Sequence, residues 1–198
     1  MKIPSLNDER GSMIVLVLVV LALLTLIGLS TISTTSIELQ VSGSDSRHKR
    51  AFYTADGAIE VGSELLEQNI GCPAGFTATG VDGGGNPIAD IGDITVTNLD
   101  FWIDTNAQKP SDTNRDFFFE ANDGSGSHTN LTAGGNTGFS TGSALQMIAG
   151  YEGKGKGSAA GGSYIIYDLF AQNIGRKSQS IVKIHWLHVI GQEGGCNY

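Results

Sequence analysis

Proline is missing from Ser5 to Cys72, and no charged residue occurs between Gly11 and Ile37. The first absence leaves a long stretch without the residue that breaks helices most strongly. The second excludes an ordinary solvated helix for the opening part, since a surface helix carries polar groups on its outer face. Cysteine is scarce: Cys72 and Cys196 are the two in the chain. Lys and Arg are outnumbered 12 to 20 by Asp and Glu, for a net charge of -8, so the composition argues against partners read through a phosphate backbone, and no nucleic-acid binding is expected. The run Gly153-Lys154-Gly155-Lys156-Gly157 lacks the strand-loop-helix setting of a phosphate cradle. No catalytic residue, cofactor site or metal site is expected, and the chain is not read as an enzyme.

What is present starts with Glu9-Arg10-Gly11-Ser12, followed at once by the apolar run Met13 to Leu24, which continues through Leu29 and Ile32. A secretory signal places a basic region first, an apolar core of about 7 to 15 residues next, and its small-residue cleavage site after the core. Here the glycine precedes the apolar run, and residues 13–32 approach the roughly 20 residues that cross a bilayer. Cleavage after Gly11 would leave the helix on the product.

From Phe52 the apolar residues Phe52, Ala55, Ile59, Gly62, Leu66 and Ile70 recur at three or four, with Ala51, Ala58 and Leu65 widening the stripe, the spacing of one helix face. Asp56, Glu60, Glu64 and Glu67 fall on other faces. Ser12 to about Asn69 therefore reads as one helix of roughly 85–90 Å, ended by Gly71 and Pro73. Between the halves, Thr31 to Ser36 and Gly43 weaken helix propensity. Two readings are open: a break between anchor and amphipathic helix, or a segment that melts and reforms. The cluster Arg47-His48-Lys49-Arg50 reads as a solvated helix face.

Composition shifts after Ile70: the first 70 residues hold 5 of the 28 glycines, and the rest has the texture of short strands joined by long turns in one domain. Expected strands are Ile94 to Ile103, Phe117 to Phe119, Ser143 to Tyr151, Ser163 to Gln172 and Ser180 to Ile190. The last two would form a hairpin across residues 173–177, with Val182, Ile184, Trp186 and His188 on one face and Lys183, His185 and Leu187 on the other. That alternation separates His185 from His188 and speaks against a shared metal. Asp112-Thr113-Asn114-Arg115-Asp116, with Glu120 and Asp123 beyond, partly imitates a calcium loop, but Phe117 stands where such a loop needs glycine, and turn chemistry accounts for these residues without an ion.

The Gly11-Ser12 junction resembles the processing site of type IV prepilins and pseudopilins. The order of apolar span, small polar patch, basic cluster and Ala51-Phe52-Tyr53-Thr54-Ala55-Asp56-Gly57-Ala58 resembles the amino-terminal region of PilX-like minor pilins. The resemblance covers about the first third of the chain. It implies a polar leader 1–11, cleavage by prepilin peptidase between Gly11 and Ser12 with N-methylation of Ser12, a pilin helix 12–70 whose transmembrane part is 13–32, and a glycine-rich β head 71–198. The implied fold is α+β, a long helix packed on an antiparallel sheet. Most pilins place glutamate where this chain has Leu16; members without it tend to sit at the filament tip. The implied partners are other pilin subunits through the helix, the peptidase and an inner-membrane assembly platform. The protein would sit single-pass in the inner membrane with a periplasmic head, then in a surface pilus, with adhesion or aggregation as further roles. In an oxidising compartment Cys72 and Cys196 would be joined. The rivals are a minor pseudopilin of type II secretion and a single-span periplasmic binding protein.

Overall fold

The computed structural model describes residues 9–121, 126–139, 141, 163–190 and 195–196. The expected strand at 143–151, the Gly153 to Gly157 run, Asp123 and leader residues 1–8 lie outside the described residues. The chain divides into two units, Met1–Ser46 and Arg47–Tyr198, and one helix, α1 (Glu9–Ile70), contributes to both.

In the first unit the Ser/Thr patch does not end α1. Thr31 Oγ1 donates to Ile27 O at 2.9 Å, Thr34 Oγ1 to Ser30 O at 3.0 Å and Thr35 Oγ1 to Thr31 O at 2.9 Å. Each hydroxyl turns back on its own helix, so the patch is satisfied without leaving helical geometry. Of the two open readings, the static break is therefore not the one found.

Among the described residues the second unit is a seven-stranded antiparallel sheet whose spatial order follows the chain: β1 (Gly80–Val81), β2 (Pro87–Ile91), β3 (Ile94–Val96), β4 (Phe117–Glu120), β5 (His128–Phe139), β6 (Ser163–Ile174) and β7 (Gln179–Val189). Gly92, with φ of 63°, opens the two-residue turn between β2 and β3, where a primed turn needs left-handed backbone. β5 and β6 pair from His128↔Ile174 to Phe139↔Ser163, and β6 pairs β7 from Tyr164↔Val189 to Ile174↔Gln179, so the expected carboxy-terminal hairpin is present. The α+β arrangement, a long helix on an antiparallel sheet, is the observed one.

Three expectations need correction. Ile94 to Ile103 is not one strand: it stops at Val96 and ends in a 3-10 turn, Phe101–Ile103. The break lies where the backbone N–H groups of Thr97 and Asn98 both donate to Asp116 O. Phe52 is 42% exposed while Ala51 is buried, so the buried stripe is displaced toward Ala51, Ala55, Ala58, Ile59, Leu65, Leu66 and Ile70. β5 occupies a segment, His128–Phe139, for which no strand was expected.

The core lies between that stripe and the inner sheet face, where Phe117, Leu131, Tyr167 and Leu169 are buried. Gly62 marks a close approach: a Cβ there would stand 2.8 Å from Leu131 Cδ2 and 3.2 Å from Leu169 Cδ2. Burying a leucine-sized side chain is worth roughly 1.5–3 kcal/mol, so this face supplies much of what holds the helix on the sheet.

Candidate functional site

The part of α1 that the sequence marks for a membrane carries Met13, Leu16, Leu18, Leu23, Leu26, Ile27, Leu29 and Ile32, all exposed. It is long and apolar enough to cross a bilayer, and the 20-residue stretch 13–32 rises about 30 Å. Leu16 therefore adds apolar surface where an ionised side chain would be costly in hydrocarbon. Gly11 and Ser12 belong to the helical backbone of α1.

The head holds the last turns of α1 by three kinds of contact beyond apolar packing. Glu67 accepts on both oxygens: Trp186 Nε1–H donates to Oε1, and His188 Nδ1 lies 2.8 Å from Oε2. Asn69, fully buried, donates from Nδ2 to Leu99 O at 2.9 Å and accepts the Trp102 N–H on Oδ1 at 3.1 Å. Tyr167 then steadies the same 3-10 turn, its hydroxyl donating to Trp102 O at 2.9 Å, and burial pushes that hydroxyl up to about 12. Just past the helix, Cys72 is joined to Cys196, with Cα atoms 4.6 Å apart and a sequence separation of 124.

Sequence reasoning placed Glu67 among the outward residues and gave Asn69 no role. Their partners lie 119 and 30 positions away, beyond any local pattern. The two histidines of β7 separate as the alternation predicts. His188 is 3% exposed against Glu67, whereas His185 reaches Asp168 at 2.5 Å on the other face, beside Lys183 at 2.8 Å from the same carboxylate. Lys183 and then His185 hold the Asp168 carboxyl below its ordinary range.

Asp112 and Asp116, the carboxylates at the two ends of the run that imitates a calcium loop, are held by different partners. Asp112 Oδ1 accepts from Asn130 Nδ2 at 2.8 Å and meets His128 Nε2 at 2.7 Å, contacts that lower its pKa. Asp116 turns inward: it accepts from Asn98 Nδ2 at 2.9 Å and from the Ala133 N–H at 2.7 Å. Arg115 lies between, its guanidinium 3.5 Å from the Phe118 ring centroid and bonded to Asn130 Oδ1 at 2.9 Å. Burial pushes the Asp116 carboxyl up to about 6. Among the described residues no three His, Cys, Asp or Glu side chains gather as a metal set. Gly138-Phe139-Ser140-Thr141-Gly142 has the Gly-x-Ser-x-Gly spacing of a nucleophile elbow, which the sequence reading passed over. Its first two residues end β5 of an antiparallel meander, and Ser140 and Gly142 lie outside the described residues.

An apolar helix that continues into the core of an antiparallel β head defines a pilin-like architecture. Residues 10–60 match the family model described as PilX N-terminal, and over that segment the chain is similar to that family. No curated protein and no solved structure matches the chain.

Proposed function

We propose that the protein is a minor pilin that enters, or primes the assembly of, a type IV pilus. The observation that carries this reading is the division of α1: residues 13–32 expose apolar side chains all round, while residues from Ala51 onward are seated on the sheet. Such a helix suits two environments in turn, lipid before assembly and neighbouring helices afterward, with van der Waals packing as the attraction between them. In this reading prepilin peptidase cuts between Gly11 and Ser12, Ser12 becomes the N-methylated terminus, and the head faces the periplasm until an assembly platform passes the subunit to the surface. Leu16 withholds the carboxylate that most pilins offer to a neighbour's terminal amine, which favours a place at or near the tip. Adhesion or aggregation would be tasks of the head.

Amino-terminal sequencing of protein recovered from sheared surface fibres tests the reading: it should begin at Ser12, and a Gly11→Leu substitution should leave the full-length chain in the membrane and none in fibres. Full-length wild-type protein confined to the envelope would instead support the single-span anchor. Recovery in secretion pseudopili but not surface pili would support the type II reading.

A further inference from the structure

The basic cluster at Arg47–Arg50, read from the sequence as a solvated face, has company in the fold. Arg47 and Arg50 line a cavity of about 200 Å³ whose other walls bring Arg176 and Lys177 from the β6–β7 turn and His128 from the start of β5. Four of the chain's 12 Lys and Arg residues thus surround one cavity, in a protein of net charge -8, and among the described residues no Asp or Glu lines it. Arg47, Arg176 and Lys177 make no ion pair among the described residues. Asp112, which reaches the lining residue His128, is also held by Asn130.

The floor asks for nothing further. Ala51 and Thr129 are buried there, and Asn173 Nδ2 already donates to Thr129 Oγ1 at 2.9 Å. Arg47, Arg176 and Lys177 therefore supply donors not engaged in an ion pair among the described residues, and each is cationic. Like charges around one cavity repel one another and raise its potential, and an anion between them reverses the sign of that energy. A single carboxylate would leave most of the charge uncompensated. A phosphate group offers more charge and three or four acceptor oxygens, which suit the planar forks of several arginines.

We infer that this cavity is an anion site that takes a phosphate group, carried either by a small soluble phosphate or by the headgroup of an envelope lipid. The inference stands apart from pilus assembly, since the walls come from the head unit alone.

The test uses the full chain in non-ionic maltoside micelles, which carry no phosphate, titrated with inorganic phosphate at low salt by calorimetry. Saturable one-site binding is expected, with a dissociation constant on the order of 1 mM or tighter. Arg47→Glu alone, and Arg176→Glu with Lys177→Glu, should each weaken it about tenfold or more. The pair Arg176→Lys with Lys177→Arg should retain it, and Lys109→Glu, an equal charge change away from the cavity, should leave it unaltered. Unchanged emission from Trp102 and Trp186 verifies that each variant folds. Nanodiscs separate the two sources: phosphatidylglycerol discs that weaken phosphate binding about tenfold relative to phosphatidylcholine discs identify a headgroup occupant, and equal binding identifies a soluble one. The inference is overturned if wild-type protein shows no saturable binding up to about 20 mM phosphate or if the reversed variants bind as well as wild type. It is also overturned if the reversals abolish salt-sensitive self-association while phosphate leaves the protein untouched. That last result would assign the cavity to acidic side chains of a second copy, for which Asp56, Glu60 and Glu64 are exposed.

Discussion

Residues 13–32 and residues 51–70 are successive stretches of one helix, similar in length and both rich in apolar side chains, yet they solve different problems. The first exposes Leu16, Leu24 and Ile32 alike, with no face preferred. The second buries Ala55, Ile59, Leu66 and Ile70 while Asp56, Glu60 and Glu64 stay in water. An all-round apolar helix has no single partner to choose, whereas a striped one does. The lesson is that the head's stability rests on the second stretch and should be indifferent to changes in the first.

The largest test of that division is removal of the Cys72–Cys196 bridge. Closing a loop of this size stabilises by about 4–5 kcal/mol in the chain-entropy model, so Cys72→Ser with Cys196→Ser should lower the unfolding free energy of the head by up to that amount, read by Trp102 and Trp186 emission in denaturant. Next, Leu66→Ala should cost about 2–5 kcal/mol, because its site is fully buried, whereas Leu24→Ala should move the same transition by less than about 0.5 kcal/mol. Equal effects of the two would break the comparison.

A smaller effect sharpens it through pH. Burial pushes the Asp116 carboxyl up to about 6 from its ordinary 3.8, so between those values the folded head binds more protons than the unfolded chain. Stability should therefore rise as pH falls from about 7 to about 4, by about 1–3 kcal/mol, with the gain complete below the unfolded pKa. Denaturant midpoints measured across this window check the sign, and the gain should vanish in Asp116→Asn. Below it the trend turns, since Asp112 and Asp168 titrate below their ordinary range and their contributions are lost as acid protonates them. Of similar size, Asn69→Ala strands Leu99 O and the Trp102 N–H of their shared partner. It should cost about 1–3 kcal/mol and shift the emission of Trp102, whereas Thr25→Ala in the other stretch, where the hydroxyl bonds Ala22 O, should shift neither tryptophan.

The helix was legible because its signals are local: no proline, one apolar run and then a stripe at three or four. The closing hairpin was legible for the same reason, through alternation in β6 and β7. β5 was hidden because Gly134, Gly135, Asn136 and Gly138 resemble a turn. In the fold those glycines make room: a Cβ on Gly134 would stand 2.1 Å from Ala107 N, and one on Gly135 would stand 2.6 Å from the Tyr167 ring. Ile94 to Ile103 misled in the opposite way, for its β-branched and aromatic residues promise a strand that Asn98 interrupts by bonding both Asp104 and Asp116. The arginine-lined cavity was invisible, since no window contains both Arg47 and Arg176.

The clasp between Cys72 and Cys196 also governs how the molecule bears mechanical load. All seven strands lie between those two residues. Tension entering along α1 arrives at the ring's entrance, and any pull on the final residues arrives at the same sulfur pair. Stretching the chain from its two ends therefore straightens only what lies outside the ring, and the meander is spared from being drawn out strand by strand as long as that bond stays oxidised.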